Sequence, residues 1–490
     1  MKQFYLIFSL LLVILQANNA QTVRTQSMAG LSYSILDEDY SLSPFHLGGN
    51  PAWLIKSEKT SWLKLIPSGG SVWGDYKRVY DPGEVESYQI LFKGIKTLGE
   101  DGTFLGETSY LHEQRSNVYR TLKYDTYGGE AFFMNDTTTG NFNFNGPYMK
   151  FMYSFELLPK LFMGASAGYK ILDGLKSTYS RAQTLYRVVT GDIGLAYTVT
   201  ESFAAGLTFS LNDEQEKIEA KSEDLLDVEI FNFKGETFSV RKRSSTVNQK
   251  IKKAGKTFGA QLYYTPSENS EIGLAGELIN YNMKNLIPFH IAATNESMNE
   301  YEEGYSSFND YKIKLQARQF ISKELMISLS TGYNERNSWS KDSPLNLLLW
   351  QWDIKNFYTG IGSSYNLTNE LLIAFEYEYS NLKADSSKYV DSRMVSLTSQ
   401  NHLIRIGTEF ELMTNLFLRA GYNVTFIEND IVSGGEDVKY NRITAGAGLK
   451  IFESFQVDAS LEYLNYSPGN PSTTSRSALW GVLTAKLFTF

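Results

Sequence analysis

The sequence predicts an all-β fold: a transmembrane, antiparallel, up-and-down β-barrel of about 14–18 strands, preceded by an N-terminal segment. Three observations predict it. Segments of about ten residues alternate apolar and polar side chains with period two. The connections between them are short and long by turns along the chain. An apolar leader opens a chain in which no later apolar run is long enough for a membrane-crossing helix.

The 490 residues begin MKQFYLIFSLLLVILQANNAQT. Lys2 supplies a positive start, Phe4 to Leu15 an apolar run, and small or polar residues end at Ala20. That order reads as a secretory signal peptide over residues 1–20. Loss of Lys2 with the leader removes one positive charge and takes the formal net charge from −8 to −9, a balance that suggests no nucleic acid. There is no cysteine, which excludes disulfide frameworks, thiolate metal sites, a catalytic Cys and a lipid-bearing Cys. No cofactor is implied.

Residues 21–57 are expected to form the hatch or a periplasmic segment ahead of a barrel over 58–490. Within it, PFHLGGNPAWLI (44–55) predicts a tight, irregular turn. Gly49 tolerates positive φ, and Pro51 fixes its own φ and holds Asn50 extended.

In the barrel, PYMKFMYSFEL puts Met149, Phe151, Tyr153 and Phe155 on one face and Tyr148, Lys150, Met152 and Ser154 on the other. Short connections fall at 158–160, 198–202, 266–270, 321–324, 367–370, 412–415 and 451–454. Long polar links are expected near 116–145, 174–184, 212–256, 282–308, 336–353, 382–400, 427–439 and 466–475. Outer-membrane barrels sort their loops this way. A closed sheet also pairs every backbone group in hydrocarbon and leaves no free edge. The pattern supplies about seventeen strands from residue 85 onward and one more within SWLKLIPSGGSVWGDYKRV; the even count that such barrels require favours eighteen, or fourteen or sixteen if the hairpins 85–98 and 102–115 lie outside the membrane. Tyr197, Phe203, Tyr264, Phe320, Phe357, Tyr365, Phe375 and Tyr379 are expected at the membrane interfaces.

On NDYKIKLQARQF, an outward face of Tyr311, Ile313, Leu315 and Ala317 leaves Asp310, Lys312, Lys314, Gln316 and Arg318 facing the lumen. Arg405, Glu409, Arg419, Asp458 and Glu462 face it by the same alternation. Such residues line a watery path or satisfy one another as cross-strand ion pairs. The link 212–256 has an acidic half and a basic half, which antiparallel strands would set side by side. His46, His112, His290 and His402 are the only histidines, without an HExxH, GxSxG, P-loop or GxGxxG context, so no enzyme is expected.

The last segment, SALWGVLTAKLFTF, closes on Phe490 with Phe488 two before it and resembles the terminal signal of bacterial outer-membrane barrels. Asn50, Pro51 and Ala52, followed by Trp53, stand before the first strand. In this the chain resembles the FadL family of outer-membrane channels for long-chain fatty acids and other hydrophobic compounds, whose N-terminal hatch carries an Asn-Pro-Ala motif. The resemblance implies a bacterial outer-membrane channel for small, largely hydrophobic molecules, gated by a hatch built on Asn50, Pro51, Ala52 and Trp53. Its partners would be outer-membrane lipid and a hydrophobic ligand. A barrel serving other envelope proteins in secretion or surface assembly, or a general hydrophilic porin lined by Lys312, Lys314 and Arg318, fits the same pattern.

Overall fold

The computed structural model describes residues 44–489 except 58–59, 100–101, 120, 127–130, 137, 222–226, 236–237, 245, 291–297 and 471–473. The leader, residues 21–43 of the expected hatch, and Phe490 lie outside the described residues.

Strands in the first half are β1 (Ser61–Gly74), β2 (Glu84–Thr97), β3 (Thr103–Tyr119), β4 (Phe132–Asn135), β5 (Thr139–Leu158), β6 (Leu161–Lys176), β7 (Gln183–Thr200), β8 (Phe203–Lys221), β9 (Val228–Lys234) and β10 (Ser239–Ser244). The second half contains β11 (Thr246–Ser267), β12 (Ser270–His290), β13 (Met298–Phe320), β14 (Leu325–Asp342), β15 (Leu347–Asn366), β16 (Leu371–Lys388), β17 (Arg393–Met413), β18 (Leu416–Asp430), β19 (Gly435–Phe452), β20 (Phe455–Ser467) and β21 (Arg476–Thr489). All but β4, β9 and β10 join one 18-stranded antiparallel sheet. It closes where β21 pairs with β1, from Ser61 opposite Thr489 to Gly74 opposite Arg476. The ring has no free edge, and an even strand number returns both ends to the side of the short turns.

Alternation along each strand separates two faces. On β5, Phe151 is exposed while Met152 and Ser154 are buried inside. Outward residues near the short turns are apolar: Ile193, Leu207, Phe258, Leu278, Ile313, Ile361, Ile406 and Leu483 are all exposed on the outer wall. Further along the same strands the outward positions turn polar, as at Asn280, Asn309, Asn337 and Lys355. The barrel therefore has an apolar belt at the short-turn end and a polar crown above it.

The crown corrects the expected loops. Much of 282–308, 336–353 and 382–400 is strand, and the barrel strands run from 13 residues in β20 to 23 in β13. Ladder hydrogen bonds continue wherever a neighbour is present, but polar side chains on both faces erase the alternation from which a strand is read. The acidic and basic parts of 212–256 do meet side by side, as the continuations of β8 and β11, with Lys253 3.5 Å from Glu214. Phe320 is also corrected. It shares its face with Gln316 and Arg318 and packs inside near Met326, Leu372 and Ala374, not in an outer girdle. Phe488 likewise turns inward, toward the cluster of Leu54, Trp62, Ile95, Leu105 and Met152.

A second sheet, in the order β10-β9-β4, was not expected from the sequence. Met134, Val228 and Ile230 pack on Val118, Phe142, Phe144, Ala182, Ile218 and Val247 of the inner wall and its turns.

Candidate functional site

Residues 44–57 pack against the inward face of the belt. A helical turn (Pro44–Gly48) leads through Gly49, at φ 62°, to a 3-10 turn (Pro51–Trp53) and a final helical turn (Leu54–Ser57). Pro51 suits the first position of the 3-10 turn, where no N–H is needed. Asn50 caps it: the Asn50 Oδ1 accepts the Ala52 N–H at 3.0 Å.

The rest of Asn50 belongs to the wall. It is fully buried, and its Nδ2 donates to the Leu195 carbonyl and the Leu207 carbonyl, each at 3.1 Å, and to the Gln261 Oε1 at 2.9 Å. Ser154 Oγ donates to the Ala52 carbonyl at 3.0 Å. Lys56 donates to Thr198 Oγ1, and burial lowers the Lys56 ammonium below the usual lysine range. Trp53 is fully buried near Phe162, Ala196 and Ala204, with its indole N–H unpaired.

Three wall glycines make the seat possible. A Cβ at Gly164 would overlap the Pro51 backbone, one at Gly194 would strike the Asn50 amide, and one at Gly206 would lie 2.7 Å from the Trp53 indole nitrogen. Gly164 pairs in register with Gly194, and Ala196 with Gly206. Sequence reading passed over these glycines and Gln261. Their signal, small residues at one level of adjacent strands, emerges only once the register is known.

The lumen charges are neighbours of opposite sign. Lys312 Nζ lies 3.7 Å from Glu277, and Arg318 Nε 4.0 Å from Glu271; Lys314 shares their inward face. Arg405 donates to Glu376 at 2.8 Å. Arg419 donates to Glu409 at 2.9 Å and to Asp458 at 2.6 Å, and all three side chains are buried. Asp458 reaches Arg419 across β19 because Gly448 has no side chain there. Lys312, Arg318, Arg405 and Arg419 thus each belong to an ion-pair group.

At the long-connection end, residues 121–126 and β4 turn in over the lumen. Thr184 Oγ1 donates to the Leu122 carbonyl at 2.6 Å, and Arg115 Nη1 donates to the Tyr124 carbonyl at 2.8 Å. The Arg115 guanidinium lies over the Tyr124 ring at 4.6 Å and the Phe144 ring at 4.7 Å. Lys123 is buried, which lowers its pKa from the usual lysine range despite the neighbouring Glu216. Lys176, fully buried, donates to Asp136 at 2.5 Å and to the Thr138 carbonyl at 2.9 Å. Phe133 stacks on Tyr80, from the β1–β2 connection, at 5.6 Å and meets Trp350 of β15 at 6.2 Å. Those partners stand on opposite sides of the ring, so this small sheet bridges the mouth.

His112 and His402 face outward beside tyrosines, with Tyr377 Oη 2.9 Å from His402 Nδ1. Among the described residues, no three His, Cys, Asp or Glu side chains are grouped to hold a metal ion.

Residues 51–468 match the sequence model of a family of unknown function, DUF6850. The chain belongs to that family. The match begins inside the Asn50 seat and runs through β20. No curated protein matches the sequence. Among solved structures, the chain is similar to the ferric-catecholate import receptor Fiu of E. coli K12 in its open form, with TM-score 0.43, 10% identity, and coverage of 88% of this chain and 82% of that chain. It is similar to a Pseudomonas aeruginosa FadL homologue, with TM-score 0.37, 13% identity, and coverage of 96% and 99%. A third is the CymD monoaromatic hydrocarbon channel, with TM-score 0.35, 10% identity, and coverage of 91% and 93%.

Proposed function

We propose that this protein is a bacterial outer-membrane β-barrel through which small, largely hydrophobic molecules pass passively, with residues 44–57 as the described part of its hatch. The apolar belt around a closed ring supports the membrane setting, because a lipid-facing wall needs outward apolar side chains and no unpaired backbone edge. The Asn50 seat carries the gating reading. Its side-chain contacts hold an irregular segment against the wall, while the ring's ladder bonds run between strands and do not depend on it.

The seat's surroundings support an apolar cargo. Phe45 and Ile55 join Ala52, Trp53, Phe162, Ala196 and Ala204, and Leu54 joins Trp62, Leu105 and Met152. A molecule displacing this segment meets apolar side chains on both sides. Lys312, Arg318 and Arg419 each lie beside a carboxylate, which does not favour a general ion pore.

The test is single-channel current in planar bilayers, with uptake of a fluorescent fatty acid into vesicles, for the native chain and Asn50→Ala. The variant is expected to open more often and to pass more of the probe at equal refolding yield. Equal, closed traces together with equal uptake would show that the segment is only a connector.

A further inference from the structure

We infer that the outer wall over β7, β8 and β11–β14 carries a binding site for a phosphate-bearing membrane lipid, one acyl chain lying in a hollow of the belt and the headgroup on Lys256. The inference rests on the membrane setting proposed above.

The hollow has a volume of about 630 Å³ and opens outward. Its floor is where two strands carry almost no outward side chain: Ala260 pairs in register with Gly276. Leu207 flanks them on one side and Ile313 on the other, with Phe258 and Leu278 one outward step along the strands. A Cβ at Gly276 would meet nothing nearer than the Lys312 carbonyl oxygen at 3.8 Å, so the space above the floor is empty of protein. A flexible chain of methylenes fills such a trough and makes the van der Waals contacts that an ill-fitting void would forfeit.

The next outward step toward the long connections brings polar side chains in beside Leu211. Lys256 lies there in register with Leu211 and Asn280, and Asn280 donates to Asn309. Among the described residues the Lys256 ammonium has no ion-pair partner. Its diagonal outward neighbour on β8, Asp213, is held by Arg187 at 3.2 Å. On the far flank Glu335 is matched by Lys355 at 3.5 Å. The rim thus carries one unmatched positive charge, directly above an apolar trough, which is the complement of an anionic headgroup above its acyl chain.

A second copy of the chain is the less suitable occupant. A two-fold contact through this hollow would bring each Lys256 toward its own mate, where like charges repel.

The experiment is native mass spectrometry of the whole chain released from detergent in the presence of equimolar phosphatidylglycerol and phosphatidylcholine with identical chains. The native chain should retain one lipid, with phosphatidylglycerol preferred. Gly276→Leu should lower retention of both lipids about tenfold, because the new side chain occupies the trough in which the acyl chain would pack. Ala260→Leu, on the neighbouring strand, should do the same. Lys256→Gln should abolish the preference by lowering retention of phosphatidylglycerol to the level of phosphatidylcholine. Retention indifferent to both filling substitutions overturns the site. Equal retention of the two lipids by the native chain overturns the Lys256 assignment. A native dimer that Gly276→Leu dissociates makes the hollow a contact between copies and overturns the lipid reading. A chain folded and monodisperse without detergent overturns the membrane setting itself, an outcome distinct from all of these.

Discussion

Asn50 shows how much one side chain can hold at this site. It caps its own turn through Oδ1 and binds three wall acceptors through Nδ2. Asn50→Ala leaves the buried Ala52 N–H and Gln261 Oε1 without these partners, at a cost of about 1–3 kcal/mol for each unsatisfied group. Limited proteolysis should then cut within 44–57 in the variant and not in the native chain. Gly194→Ala approaches the same seat from the wall, since its new methyl strikes the Asn50 amide. It should expose the segment to the same protease while the barrel still resists urea; a segment as protected as the native one would contradict the seat. Arg419 offers a third residue-level test. Arg419→Met strands Glu409 and Asp458 as buried, uncompensated anions and should cost about 3–5 kcal/mol. Adding Glu409→Gln and Asp458→Asn should recover most of that loss, read as the urea midpoint of unfolding in lipid.

At the scale of elements, the small sheet and the 121–126 turn are held by contacts of two kinds. Aromatic rings bridge the mouth through Phe133, and the fully buried Lys176–Asp136 pair pins the return into β5. Removing the carboxylate leaves a buried ammonium with only the oxygens of Thr138 around it. Asp136→Ala should therefore free the β3–β5 connection for protease cleavage without unfolding the ring. The Phe133 bridge makes a separate prediction. In an Asn50→Ala background, Phe133→Ala should increase the single-channel current, because the bridging ring narrows whatever path the seat releases. Unchanged current would place that path away from the bridge.

At the scale of the whole molecule, closure and the apolar belt act together. The ring satisfies its own backbone, and the belt presents apolar side chains outward for a band at the short-turn end. Folded chain should migrate differently on gels before and after boiling and give a β-dominated circular dichroism spectrum after refolding in detergent. A water-soluble monomer that needs no detergent would contradict this. The ring was legible because period two, turn length and an even strand number are all local or additive features. Ser61 to Gly74 emerged as the eighteenth strand from parity within SWLKLIPSGGSVWGDYKRV. The crown was not legible, since Asn280, Asn309 and Asn337 look like loop residues until neighbouring strands supply their ladder partners.

The sequence alone determined the all-β, antiparallel-barrel class, because the alternation at Met149–Ser154 and Lys312–Arg318 is set by the two-residue pleat and needs no distant contact. The inward aspect of Arg405, Glu409 and Arg419 is an expectation from the same alternation. Tertiary structure decided what those residues meet. The Arg419 group depends on a neighbouring strand that offers Gly448, and the Asn50 seat on Gly164, Gly194, Gly206 and Gln261, which lie from 114 to 211 positions further along the chain. Only ring closure and register bring them to one level of the wall. The bridge of Phe133 between Tyr80 and Trp350 is decided in the same way, since stacking across a mouth is a property of two opposite sides of a ring and of no single stretch of chain.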